Sequence, residues 1–135
     1  MGLIANDLLD FPGIWHYRYW FPNTKRNNVE EMCEFQVRIE RHDNGYVIHS
    51  LADTGEASGS HMEARFTVDG NVATGTFMED TSPTGDWGGM TYKGAFQLLL
   101  SEDHLRMEGM RVVAGYNNGH PKIFPGRVEL FAADN

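Results

Sequence analysis

The stretch GIWHYRYWF, residues 13–21, decides the fold predicted for this chain. Large aromatic side chains alternate along it with a period of two, which is the pattern of a β-strand with one buried face. Similar short runs continue to a last one over residues 126–132, so the sequence predicts an antiparallel sheet closed around an interior pocket. The face of the first run that we expect to be buried carries Trp15, Tyr17, Tyr19 and Phe21.

Turn signals divide the rest of the chain into strands. Asp43-Asn44-Gly45 and Asp69-Gly70-Asn71 favour hairpins, and about eight strands can be counted at the lengths usual for barrels. We therefore predict an all-β fold, an up-and-down antiparallel barrel over residues 13–132, in a single domain of 135 residues. Residues 1–12 are expected to plug one end, with a short helix over residues 5–9.

Composition and charge narrow the partners and the compartment. The formal net charge is −8 at pH 7, and the single cysteine, Cys33, has no second cysteine in the chain to pair with. A negative mean field disfavours nucleic acid and anionic membrane surfaces, and a chain without disulfides suits a reducing compartment. No apolar run approaches the length of a membrane span. We expect a soluble cytoplasmic protein with neither nucleic acid nor membrane as a partner.

The sequence motifs of common catalytic centres are absent. The chain has no phosphate-binding glycine loop with lysine, no HExxH, no paired cysteines and no nucleophile elbow. Its six histidines do not fall at metal-ligand spacings, so neither a metal nor a cofactor is expected. His49 differs because it lies within a strand between Val47 and Leu51, and we predict that it points to the interior. There it is either a hydrogen-bonded core histidine or, in an enzyme, a proton-transfer group.

Polar side chains on otherwise apolar strand faces form the candidate site. Glu79, Gln97 and Arg111 each share a predicted face with large apolar residues. Because an unpartnered buried charge is costly, Glu79 and Arg111 form an ion pair, face solvent, or bind a ligand. In the last case they orient a polar group on a mostly apolar ligand. The predicted ligand-binding set comprises Trp15, Tyr17, Tyr19, Phe35, His49, Phe66, Phe77, Glu79, Trp87, Tyr92, Gln97, Met107 and Arg111.

Two further features concern the rim and the surface. Residues 82–89 form a long loop with two adjacent glycines, and Trp87 within it is either a lid over the ligand or an anchor packed on the rim. The run Leu98-Leu99-Leu100 combines core positions with a homodimer or end-cap contact.

The start of the first strand resembles that of the lipocalin and calycin families. Gly13-Ile14-Trp15 is similar to their Gly-x-Trp, in which the tryptophan closes the barrel floor and a late basic residue stacks over it. The resemblance implies that Arg127, on the last strand, is that basic partner. The alternative for Arg127 is a solvated charge on the strand.

A more specific resemblance covers residues 74–130. The stretches TGTFMEDTSPTG, YKGAFQLLL, RMEG and PGRVEL resemble the C-terminal domain of actinobacterial proteins that carry an N-terminal helix-turn-helix of the XRE type. This resemblance implies a ligand-sensing or interaction barrel of unassigned chemistry. The positions it carries over are Glu79, Thr81, Ser82, Pro83, Gly85, Gly89, Tyr92, Gly94, Gln97, Met107, Gly109, Gly126, Glu129 and Leu130.

This chain departs from that family pattern in its interior and in its length. Phe77, Arg111 and Val128 stand where the family usually has tryptophan, which makes the interior less aromatic and more cationic and suits an anionic ligand. The twelve residues before Gly13 are too few for a DNA-reading helix-turn-helix. We therefore do not expect direct transcriptional control.

The favoured function is a non-enzymatic barrel that binds a small, partly apolar ligand through its aromatic interior. One alternative is a cofactor-free cyclase or isomerase, in which Glu79 or His49 moves a proton and Arg111 stabilises developing negative charge. Another alternative is a protein-interaction module that uses Trp20, Trp87 and exposed strand edges.

Overall fold

A computed structural model describes residues 11, 13–23, 27, 29–51, 61–80, 91–117 and 120–133. Eight strands run through these residues: β1 Ile14–Asn23, β2 Val29–His42, β3 Gly45–Ser50, β4 His61–Asp69, β5 Val72–Asp80, β6 Thr91–Leu100, β7 Arg106–Asn117 and β8 His120–Ala132.

The strands form one closed barrel. Each strand pairs antiparallel with the next, and β8 pairs back onto β1, where Trp15 lies opposite Ala132 and Tyr19 opposite Val128. The prediction of an all-β, up-and-down antiparallel barrel is confirmed. The helix predicted for residues 5–9 lies outside the described residues.

The two ends of the barrel differ in how the strands are connected. At one end, which we call the turn end, the chain reverses through residues 43–44, 70–71 and 101–105. At the opposite end, the loop end, β3 is joined to β4 by residues 51–60 and β5 to β6 by residues 81–90. The two longest connections therefore belong to the same end.

The short turns depend on residues that tolerate a left-handed backbone. Gly70 has a φ of 63°, which glycine adopts without steric cost, in the turn between β4 and β5. Asp43 has a φ of 52° in the turn between β2 and β3, where a short polar side chain is tolerated. The sequence therefore supplies suitable residues where two hairpins must be tight.

Apolar side chains fill the interior at the turn end. Phe11 packs edge-on against Trp15, with ring centres 5.8 Å apart, and against Tyr46 at 4.8 Å. Tyr46 in turn stacks on Phe66 at 5.0 Å. Burying such surface contributes roughly 25 cal/mol per Å², so this end is a major source of stability. The largest fully buried side chains are Trp15, Val37, Ile48, Leu98, Met107, Val128 and Leu130.

An ionic network spans the seam where the barrel closes. On the outer face, Arg18 of β1 places its Nε 2.7 Å from Glu34 of β2 and its NH1 3.8 Å from Glu129 of β8. Glu129 also lies 2.9 Å from Arg106 of β7. Charges on four neighbouring strands are thereby linked on the outside of the barrel.

Candidate functional site

A buried polar cluster lies inside the barrel, in the half nearer the loop end. It consists of Tyr17 and Tyr19 from β1, Glu79 from β5 and Arg111 from β7. Glu79 is the last residue but one of β5, and it pairs in register with Tyr92 near the start of β6. The side chains of Glu79 and Arg111 are only 9% and 7% exposed. Two opposite charges are therefore held in a largely apolar interior.

The cluster is joined by direct contacts. The Arg111 NH1 lies 3.4 Å from the Glu79 Oε1, and the Tyr19 hydroxyl donates to the Glu79 Oε2 at 3.1 Å. The Arg111 guanidinium carbon lies 3.8 Å from the centre of the Tyr19 ring and 5.1 Å from that of Phe77. Glu79 and Arg111 therefore face inward and pair with each other, which excludes the solvent-facing alternative.

Burial and neighbouring charges set the protonation states. Burial raises the pKa of Tyr17, against the opposing effect of the Arg111 charge. Burial also raises the pKa of Tyr19 well above its usual value, and the charge of Glu79 adds to that effect. Burial alone would lower the pKa of Arg111, but its interactions with Tyr17, Glu79 and Tyr19 outweigh this and raise it. At neutral pH the hydroxyls therefore remain donors and the guanidinium remains charged.

Aromatic rings surround the polar cluster. Tyr17 stacks on Phe35 with ring centres 5.0 Å apart, and Tyr19 meets Phe35 at 6.3 Å and Phe21 at 5.7 Å. Tyr92 is half-buried, and its pKa is raised by burial and then by the Glu79 charge. The site therefore combines a few polar groups with mostly aromatic walls, a composition typical of small-molecule sites.

Three interior residues near this site were absent from the predicted ligand-binding set. Phe21, Cys33 and Phe124 are partly buried and pack against the core. Cys33 pairs in register with Tyr19 across β1 and β2. Cys33 lies two residues before Phe35, so period-two alternation puts it on the same face of β2, and extending that face toward the loop end would have found it.

The prediction that His49 points into the barrel is wrong. His49 is exposed, whereas Tyr46 and Ile48 of the same strand belong to the core. Because side chains alternate, a one-residue error in choosing the inward positions reverses the whole strand. Val47 suggested the wrong face, because it is an apolar residue that is buried although it does not belong to the core cluster of Tyr46 and Ile48. His49 is therefore on the wrong face to move a proton in the interior.

The prediction that Gln97 lines the interior is also wrong. Gln97 is exposed, and its Nε2 donates to the Thr74 Oγ1 at 3.4 Å on the outer face. The inward side chains of β6 are Phe96, Leu98 and Leu100. A continuous apolar run such as residues 98–100 does not reveal which of its members face inward, because the period-two signal is lost.

The other residues of the predicted ligand-binding set differ in where they lie relative to the polar cluster. Trp15, Phe66 and Met107 belong to the core at the turn end, away from the polar cluster. Phe77 and Tyr92 lie beside the cluster. Trp87 lies outside the described residues, as do the other positions of the loop at residues 81–90.

The expected pairing of Arg127 with Trp15 is wrong. The Arg127 guanidinium lies 4.0 Å from the ring centre of Trp20, which is on the opposite face of β1 from Trp15. Val128, not Arg127, is the inward residue at this point of β8. Phe11 contributes a ring that packs on Trp15.

Comparison with known proteins assigns no family. No known protein family and no curated protein matches this chain. The resemblances to calycins and to the C-terminal domains of XRE-type proteins stay predictions.

Two features are absent from the part of the chain that the structure describes. No helix there combines the length and the apolar character needed to cross a membrane. Within the same ranges, no group of three or more His, Cys, Asp and Glu side chains is placed to hold a metal ion.

Proposed function

We propose that this protein binds a small, partly apolar molecule inside its barrel. The observation that carries the proposal is the polar cluster, an ion pair and two tyrosines buried among aromatic rings near the loop end. In this function Arg111, Glu79 and Tyr19 orient the polar group of the ligand. The rings of Tyr17, Phe35 and Phe77 bury its apolar body.

The energetics of the ion pair support a functional role. Taking two charges out of water costs several kcal/mol per ion, and apolar residues of similar volume are often equally or more stabilising. The 3.4 Å separation of Arg111 and Glu79 exceeds the roughly 2.7–2.9 Å typical of strong charge-assisted hydrogen bonds. Stability alone therefore gives little reason for this pair, whereas orientation of a ligand does.

The difference in burial between the two ends of the barrel favours entry of a ligand from the loop end. Trp15 and Met107 are completely buried at the turn end, which Phe11 also covers. Tyr92 and Cys33, which lie toward the loop end, are only partly buried. A ligand that enters from the loop end reaches the polar cluster without disturbing the turn-end core.

Native mass spectrometry of the protein purified from a cell extract tests the proposal. We expect a retained small molecule that denaturing extraction releases. The double variant Glu79→Gln/Arg111→Met should lose it. The matched control is Glu63→Gln/Arg65→Met, which removes the same residue types from an exposed outer pair 3.9 Å apart and should retain it.

Two outcomes would contradict the proposal. One is equal retention by the interior and the outer double variants, which would place the molecule elsewhere. The other is an empty protein whose thermal stability no member of a metabolite panel raises. Turnover of a panel member that Glu79→Gln abolishes would instead identify an enzyme.

A further inference from the structure

Arg111 carries more N–H groups than its two hydrogen-bond partners in the cluster, Glu79 and Tyr17, take up. Both carboxylate oxygens of Glu79 already accept, Oε1 from Arg111 and Oε2 from Tyr19. A guanidinium carries five N–H groups, and the contact with Glu79 uses one nitrogen and one oxygen rather than a two-point fork. The surplus of donors suits a ligand group that accepts, and a negatively charged group most of all.

The donors keep their protons under ordinary conditions. The raised pKa values of Tyr17 and Tyr19, which follow from burial, keep both hydroxyls protonated, and Arg111 keeps its charge. Every buried side-chain nitrogen and oxygen of the described residues already has a partner. Because a guanidinium has five N–H groups on three nitrogens, an anion adds to Arg111 through N–H groups that point neither to Glu79 nor to Tyr17, with which Arg111 is also hydrogen-bonded.

A bound anionic ligand beside Glu79 would give the interior a net negative charge. Glu79 and Arg111 are the only inward-facing charged residues that are buried among those described, and their charges cancel. Two carboxylate-like groups close together in a low dielectric cannot both stay charged at little cost, so one of them takes up a proton. The groups that face Glu79 from the surrounding strands are Tyr17 and Tyr19 on β1, Cys33 on β2, Tyr92 on β6 and Arg111 on β7, while β4 contributes Met62.

We propose, on the basis of the function proposed above, that the ligand carries a single negative charge on an apolar body and that its binding takes up one proton. The anionic group contacts the Arg111 guanidinium. The proton comes from solvent and binds Glu79, which changes from an acceptor into a neutral carboxyl group that can donate to the bound anion. No covalent bond forms or breaks in this step.

A matched pair of fluorescent probes tests this inference. Anilinonaphthalene sulfonate has an apolar body and a sulfonate that stays charged at all the pH values used. N-phenyl-1-naphthylamine has the same rings without the sulfonate. We expect affinity for the sulfonate to rise by up to about tenfold per unit fall in pH, the limit for uptake of one proton. Calorimetry in two buffers of different ionisation enthalpy should show uptake of one proton. The neutral probe should bind more weakly, without proton uptake.

Cys33 reports whether a probe is inside the barrel. It is the single cysteine of the chain, it is partly buried, and it lies opposite Tyr19. A probe in the interior should slow its alkylation by N-ethylmaleimide. A probe bound only to exposed apolar residues of the outer face, such as Met110 and Ile123, should not.

Variants separate the roles of the two charges. Glu79→Gln should bind the sulfonate probe without proton uptake and with little dependence on pH. Arg111→Met should lose the preference for the sulfonate over the neutral probe. The outer variant Glu63→Gln should behave as the unmodified protein does. The two-buffer calorimetry uses the unmodified protein, so it decides the question even where a variant folds poorly.

The outcomes distinguish this inference from the function on which it rests. Protection of Cys33 by both probes, with equal affinity and no proton uptake, would overturn the anionic ligand and leave interior binding standing. Failure of both probes to protect Cys33 would count against interior binding as well. Protection of Cys33, with proton uptake for the sulfonate probe and none for the neutral probe, supports both interior binding and the anionic ligand.

Discussion

At the scale of single residues, Glu79 and Arg111 form an ion pair buried in the interior of the barrel. The two groups lie 32 positions apart in the chain, and each is more than nine-tenths buried. Removal of one partner leaves the other charge buried without compensation, whereas removal of both leaves none. The pair therefore makes non-additive contributions to stability, and these can be measured.

We expect Arg111→Met alone to lower the free energy of unfolding by about 3–5 kcal/mol, because it strands the Glu79 carboxylate. The double variant Glu79→Gln/Arg111→Met should recover most of that loss, as measured by urea unfolding. The exposed outer pair gives the control, and Arg65→Met should cost no more than about 1 kcal/mol. Strictly additive effects of the two interior substitutions would contradict this account of the pair.

The buried tyrosines predict a loss of stability at alkaline pH. The pKa values of Tyr17 and Tyr19 are raised in the folded protein, so the folded state holds these protons more tightly than the unfolded state does. The stabilisation is complete below the unfolded-state pKa of about 10 and is lost as the pH rises through the folded-state values. Urea unfolding between neutral pH and about pH 11 should show this loss.

A conservative substitution provides the control for the alkaline effect. Tyr17→Phe keeps the ring that stacks on Phe35 but removes the hydroxyl, so its stability should fall less steeply above about pH 10. Ionisation of the tyrosines can be followed by ultraviolet absorbance. If every tyrosine of the folded protein ionised at its ordinary pKa, the prediction would be contradicted.

At the scale of the strands, the close approach of neighbouring strands positions a side chain beside the polar cluster. A Cβ built on Gly94 of β6 would lie 2.6 Å from the Cε1 of Phe77 on β5 and would also meet the Val112 carbonyl oxygen on β7. The Phe77 ring can therefore lie over β6 only because residue 94 has no side chain. In this way one glycine sets the position of a ring that contacts Arg111.

We expect Gly94→Ala to destabilise the barrel by about 1–3 kcal/mol, the usual cost of inserting a methyl group into packed structure. The displaced Phe77 ring should also weaken binding of the sulfonate probe. Gly13→Ala is the control, because its new Cβ would meet only ordinary contact at 3.5 Å from the Arg38 NH1. Thermal unfolding of the two variants compares them directly, and equal melting temperatures would contradict the prediction.

At the scale of the whole molecule, the two ends of the barrel differ in their connections and in the side chains that fill them. Short turns and a packed apolar core characterise the turn end, whereas the polar cluster lies toward the end with the longest connections. Met107 was predicted as a ligand contact, yet it is completely buried beside Leu100 and Leu130 at the turn end. Its role is expected to be packing alone.

Met107→Ala should therefore lower the free energy of unfolding by about 2–5 kcal/mol through loss of packing and formation of a cavity. Under conditions where the variant remains folded, affinity for the sulfonate probe should not change. Fluorescence titration combined with urea unfolding separates the two quantities. Weaker binding by a fully folded variant would mean that the ligand reaches the turn end.

The limits of sequence-based prediction follow from particular strands. Where apolar and polar residues alternate, as along Phe35, Val37 and Ile39 of β2, the pattern by itself indicates the face that is buried in the structure. Where the pattern is continuous or includes an apolar residue outside the core, as in β6 and β3, the predictions for Gln97 and His49 were wrong. Period-two alternation identifies a face only when one face is clearly polar.

The sequence by itself determined the all-β class, the up-and-down order of the strands, and the presence of Glu79 and Arg111 on strand faces shared with large apolar residues, because alternation and turn residues are local properties. Only the tertiary structure decided that these two charges meet each other and Tyr19, which is 60 positions from Glu79. It also decided that Arg127 stacks on Trp20 outside the barrel. Such contacts depend on the register and closure of the whole sheet, which no single strand encodes.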